Sequence, residues 1–123
     1  MGASVAQGFG TVGPGYYVSQ PSIFALHGVT GAMAVNLLSG HVEPDHAAAA
    51  LAQLEAEHLE LYRDITPAAL GDTVGEWDGQ VIDTAVGSFD PHQVKLVEAC
   101  LRWLDLTGDP RFTAAARVVT SAV

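Results

Sequence analysis

The chain has a single cysteine, Cys100, and a single lysine, Lys95, among its 123 residues. One thiol cannot close an internal disulfide, which fits a reducing, cytoplasmic setting. Any chemistry that needs an amine side chain falls to Lys95 or to the N-terminus. Bases are scarce altogether: 5 lysines and arginines stand against 14 acids, for a net charge of -9. Such a field repels phosphate backbones and anionic lipid, and argues against nucleic acid or a membrane surface as partner. Long hydrophobic runs are missing too. The best candidate, residues 21–38, is interrupted by His27, Thr30 and Asn36 and falls short of the ~20 apolar residues a span requires. Residues 1–20 contain no base and no apolar block, so nothing there reads as a secretory signal. No segment alternates as a strand does, and no internal repeat is present.

What is present is a chain 49% apolar and only 15% charged. That composition can bury a core, and the length suits one domain. Five of the six prolines (Pro21, Pro44, Pro67, Pro91 and Pro110) stand where a helix opens, a position at which the missing N–H costs nothing. Asp90, Asp109 and Thr66 precede three of them as N-caps, and Gln93 follows Asp90 at capping-box spacing. Gly40, Gly87 and Gly108 follow helical stretches and are predicted to end them. The pattern predicts an all-α bundle of five helices over 21–39, 44–65, 76–86, 91–107 and 110–122, with a short helical turn near 67–70. The second helix is the plainest, with Leu51, Leu54, His58, Leu61, Tyr62 and Ile65 on one stripe and Glu55, Glu57, Glu60 and Asp64 mostly elsewhere. Residues 1–20, with five glycines and no period, are expected to form an irregular arm preceding the helical domain of residues 21–123; Tyr16 and Tyr17 favour its lying against something.

Few motifs carry chemistry. Gly8-Phe9-Gly10-Thr11-Val12-Gly13 has the GxGxxG spacing of dinucleotide sites. That motif needs a preceding strand and a helix opening onto the pyrophosphate, and here Pro14-Gly15 follows instead. His27 has Ile23, Thr30, Gly31 and Ala34 near its face, small enough for a ligand or another helix to approach. His58 lies within an apolar stripe. Each has a plainer reading as a packed histidine hydrogen-bonded to backbone. His41 and His46 flank an acidic turn and are expected to face water. The most informative stretch runs from Asp90 to Cys100. His92 and Lys95 share a helix face, and His92 stands in the first turn, where the helix dipole favours the neutral imidazole that proton transfer or metal binding needs. Leu96, Ala99 and Trp103 give Lys95 an apolar setting, and burial would favour its neutral amine, able to act as a base or as a metal-binding carbamate. The plainer reading is a lysine reaching water and pairing with Glu98.

Two segments together resemble one known family. His27-Gly28-Val29-Thr30-Gly31 and Asp90-x-His92-x-x-Lys95-Leu96-x-Glu98-Ala99-Cys100-Leu101-Arg102 are similar to the C-terminal part of questin oxidase-like proteins. The tail Thr107-Gly108-Asp109-Pro110-Arg111-Phe112 continues the likeness, which covers roughly residues 20–117. It implies an all-helical oxidoreductase acting on an aromatic polyketide such as an anthraquinone, by Baeyer–Villiger-type or oxidative ring-cleavage chemistry. Molecular oxygen would be the oxidant, and NADPH the indirect source of reducing equivalents. It assigns His27, His92 and Lys95 either to a non-haem iron or to proton handling on a phenolic substrate, with His58 as a further metal donor.

The resemblance also implies incompleteness. Proteins of that family are several times longer, and their N-terminal part brings further histidines to the cavity. Three donors from two helices do not fill a six-coordinate iron. The expectation is therefore a homo-oligomer, or a heteromer with a chain supplying the missing half. The alternative expectation, from another class, is a non-catalytic helical module that binds a partner chain or an apolar small molecule.

Overall fold

A computed structural model describes residues 12–68, 77 and 79–121, and among these the secondary structure is helical throughout. Among the described residues six helices follow one another: α1 Gly13–Ser19, α2 Ile23–Leu38, α3 Pro44–Tyr62, α4 Gly79–Gly87, α5 Pro91–Thr107 and α6 Arg111–Ser121. The all-α expectation holds, with one helix more than the pattern suggested. The Gly8–Gly10 part of the GxGxxG run, the end of the turn near 67–70, and the start of the helix expected at 76 lie outside the described residues.

The additional helix is α1, where an irregular arm was expected. Pro14 occupies its first turn, and its N-terminus lacks a side-chain cap. Its glycines, which lower helix propensity, serve close packing. A β-carbon on Gly13 would stand 3.3 Å from Val29 Cγ2, and one on Gly15 would stand 3.4 Å from Pro67 Cβ. The chain beyond α3 returns along this helix. Ala68 N–H donates to Gly15 O at 3.0 Å, and the Ser19 hydroxyl donates to Thr66 O. Pro67 therefore precedes no helical residue up to Ala68.

Helix boundaries follow capping chemistry more closely than proline positions. Ser22, not Pro21, opens α2, its Oγ accepting from Ala25 N–H at 3.0 Å. Asp90 caps α5 as expected, but it accepts from His92 N–H at 2.9 Å. The reciprocal half of the capping box is not made, since Asp90 N–H donates to Ser88 Oγ and Gln93 Oε1 is buried without a partner. Of the three glycines predicted to end helices, only Gly108 is left-handed (φ 69°). After α4 the positive φ falls on Phe89, at 58°, while Gly87 remains the last helical residue.

The core lies where α2, α5 and α6 meet. Leu96, Cys100, Trp103, Phe112, Val29 and Ala115 are fully buried. The Trp103 and Phe112 rings stack at 5.6 Å, and Trp103 Nε1–H donates to Val29 O at 3.1 Å, tying α5 to α2. α1 packs on α2 and α6, α4 on α5 and α6, and α3 on α2. On α3, Leu51, His58 and Tyr62 are buried and Leu54 is half-buried, but Leu61 is exposed and Ile65 lies beyond the helix end. No helix among the described residues is long and apolar enough to cross a membrane.

Candidate functional site

His27 comes from the first turns of α2, and His92 from the first turn of α5, 65 positions later in the sequence. The packing of α2 on α5 brings their rings together, with centroids 6.4 Å apart and planes inclined by 54°. His92 Nδ1 lies 3.3 Å from Asp90 Oδ1, the same oxygen that caps the helix through His92 N–H. A carboxylate at that nitrogen favours the tautomer protonated on Nδ1. It leaves Nε2 as the basic nitrogen. The cap thus fixes the helix start and orients the ring. His92 is half-buried, and His27 is exposed.

Lys95 lies one turn further along α5 and is exposed. Leu96, Ala99, Cys100 and Trp103 form the inward stripe of this helix, and Lys95 falls about 100° of helix rotation from Leu96. The apolar neighbours that suggested a buried amine therefore turn inward while the lysine turns outward.

His58 stands apart from the pair. Its ring bridges α3 to α2, with Nδ1 2.9 Å from Leu54 O and Nε2 3.0 Å from Phe24 O. It packs on the Gly28 side of α2, next to the Tyr62 ring. A metal at His58 would have to displace one of these carbonyl contacts. Among the described residues, no group of three or more His, Cys, Asp or Glu side chains has the arrangement of a metal centre. His27, His92 and Asp90, whose carboxylate already caps α5, do not by themselves make up an iron ligand set.

Two features beside the pair escaped the sequence reading. Tyr17 of α1 is buried. Desolvation raises its phenol pKa, and the nearby Cys100 thiol and Asp90 carboxylate push it the same way. Only the pair of tyrosines in a glycine-rich arm hinted at this. The second feature is aromatic exposure: Phe24, one turn before His27, is 68% exposed, and Phe89, three residues before His92, is 94% exposed. The positive φ of Phe89 strains a bulky side chain, and nothing in the core accounts for a phenyl ring there. A cleft of about 180 Å³ between α4 and α6, lined by Gln80, Thr84 and Arg117 among others, includes none of the expected site residues. The His27–His92 pair lies instead on an open face. Compared with known proteins, the chain matches no family model, no curated protein and no solved structure.

Proposed function

We propose that this chain contributes the proton-handling face of an oxidoreductase acting on an aromatic polyketide, a face completed by a second chain. The supporting observation is the convergence of His27 and His92, from helices far apart in sequence, with Asp90 holding His92. In this reading a phenolic hydroxyl meets His92 Nε2. The O–H bond breaks, an N–H bond forms, and the phenolate left behind is an electron-rich ring that molecular oxygen attacks. Asp90 offsets the charge gained by the imidazole, and the cationic Lys95 on the same end of α5 offsets the phenolate. Phe89 offers a ring face for offset stacking with a planar substrate. Oxygen insertion also requires two electrons from NADPH, delivered through a component other than these residues. The resemblance to questin oxidase-like proteins names the substrate class; the imidazole pair and the exposed aromatics are consistent with it.

The test is titration of the isotopically labelled protein with a hydroxyanthraquinone, followed through the imidazole and phenyl resonances. Binding should shift His27, His92 and Phe89 together, and His92→Asn should remove the ligand's phenolate absorbance while leaving binding within a few-fold. Shifts scattered over other surfaces, or phenolate formation unaffected by His92→Asn, would end this reading. A second reading, a non-catalytic module for a partner chain or an apolar small molecule, is favoured by the exposed apolar residues of α2. It predicts binding of an apolar ligand with no change in the ligand's protonation.

A further inference from the structure

α2 differs from the other long helices in what it shows to water. α3 turns Glu57 and Glu60 outward, and α5 turns Lys95, Glu98, Arg102 and Asp105 outward. Residues 21–40 contain no charged side chain. The exposed face of α2 instead carries Ile23, Phe24, Leu37 and Leu38, exposed by 53%, 68%, 45% and 58%. A helix apolar on all sides is normally covered on all sides, and contiguous exposed apolar surface marks an interaction site.

The order of side chains along this face identifies the partner. Large residues occupy both ends, Ile23 and Phe24 at one and Leu37 and Leu38 at the other, and the middle holds the half-buried Thr30 and the exposed Ala34, with Gly31 at the edge against Leu54 of α3. A two-fold axis through the midpoint of Thr30 and Gly31 relates the two ends. It sets Ile23 over Leu38 of an antiparallel copy, Phe24 over Leu37, and His27 over Ala34. The small residues fall at the crossing point, where helices approach most closely. Self-complementarity of this kind is what an isologous dimer interface needs. Charge points the same way. At a net charge of -9, two copies meeting through their acidic faces repel, whereas α2 brings them together with no like charges in contact.

The geometry points to a symmetric homodimer formed by antiparallel packing of α2 on α2, centred between Thr30 and Gly31. In it the Leu37–Leu38 end of one copy covers the Phe24–His27 end of the other and removes water from beside the imidazole pair. The dimer stands independently of the proposed oxygen chemistry, since its evidence is the shape and charge of the face.

Sedimentation of the full chain tests it together with two variants. The wild-type protein should dimerise. Ala34→Glu should weaken the dimer by about 100-fold or more, the effect of burying an unpaired charge at an interface, without changing far-UV circular dichroism. Leu59→Glu, on the exposed face of α3, should leave it unchanged. Thr30→Cys should form an intermolecular disulfide under mild oxidation, because residue 30 lies beside the axis and the natural Cys100 is fully buried. A wild-type protein that stays monomeric overturns the proposal, whether α2 then exchanges its amides freely or is protected by another chain. So does a dimer that Ala34→Glu leaves equally tight, or one that Thr30→Cys fails to cross-link.

Discussion

The hydroxyl of Tyr62 occupies the place where a β-carbon on residue 28 would stand, so Gly28 is the one residue that lets α3 close onto α2 at this point. The hydroxyl is buried and has no hydrogen-bond partner, and its ring stacks on Tyr16 at 4.1 Å. A steric conflict and an unsatisfied polar atom thus reside in one group. Gly28→Ala should destabilise by about 1–3 kcal/mol through overpacking. Tyr62→Phe should be neutral or stabilising by up to about 1–2 kcal/mol, since it removes a buried unpaired hydroxyl and keeps the stack. With the hydroxyl gone, the new β-carbon would lie 3.4 Å from the ring carbon, an ordinary contact, and 3.2 Å from His58 Cδ2, a tight one that the imidazole has to yield to. The double variant should then recover most of the loss, because alanine is the better helix former by about 1 kcal/mol and only the tight approach to His58 remains. Denaturant unfolding of the four proteins measures the coupling; additive effects would show that the hydroxyl is not the obstacle.

Tyr62 also predicts alkaline behaviour. Burial, and then the neighbouring Tyr16, push its phenol up to about 12 from an ordinary value near 10. A folded-state pKa above the unfolded one contributes stability in full below the unfolded value, and that contribution is lost as pH rises through the folded value. The expected window of loss is pH 10 to 12. Chemical denaturation across that range should show a steeper decline for the wild type than for Tyr62→Phe.

Phe89 is nearly fully exposed at φ 58°. Phe89→Gly relieves a strained backbone and gives up almost no packing, so it should stabilise the fold by about 1 kcal/mol. On the proposed function it should also weaken binding of an aromatic ligand, since the stacking face is gone. A thermal scan and a ligand titration on the same variant read the two effects separately; loss of stability would mean that the ring has a partner that strengthens the fold.

Asp109 accepts four hydrogen bonds from Arg111 at the start of α6, with side-chain contacts as short as 2.6 Å and a backbone bond at 3.0 Å. Burial alone would raise its carboxyl pKa, but the side-chain and backbone bonds from Arg111 outweigh burial and hold it below its ordinary value. The stability it contributes is present above the unfolded-state pKa and disappears as pH falls through the lowered folded value. Asp109→Asn should cost up to about 1 kcal/mol at neutral pH, because asparagine still caps the helix but loses the charge that strengthens the bonds from the Arg111 guanidinium. It should also flatten the acid limb of the stability curve.

Cys100 is fully buried, and burial pushes its thiol well above the usual range. The native protein should leave a thiol reagent unreacted, with labelling appearing only on unfolding. Fast labelling under native conditions would mean that the α2–α5 core opens.

The fold was legible where a helix depends on its own pattern. The bounds of α5, residues 91–107, agree with the structure at both ends, because Pro91, the Asp90 cap and Gly108 act locally and point the same way. α1 was not legible, since its glycines lower helix propensity and gain their value only from the helices pressed against them. The outward turn of Leu61 escaped notice for a similar reason: α3 meets α2 along a narrower stripe than its apolar periodicity offers. His27 and His92 could be singled out by residue type, but their 6.4 Å approach depends on how α2 crosses α5, and a one-dimensional pattern does not encode a crossing. Lys95 illustrates the converse, because apolar neighbours in sequence turned out to lie around the helix from it.

The first and last helices of the described chain, α1 and α6, lie against each other. The two ends of the helix order are thus joined by packing as well as by the chain between them. A circularly permuted version, its original ends bridged by a flexible tether and new ends opened in the exposed turn at Gly40 and His41, should keep every helix contact. It would also place α2 at the very end of the chain, ready to receive a fused segment across its bare face.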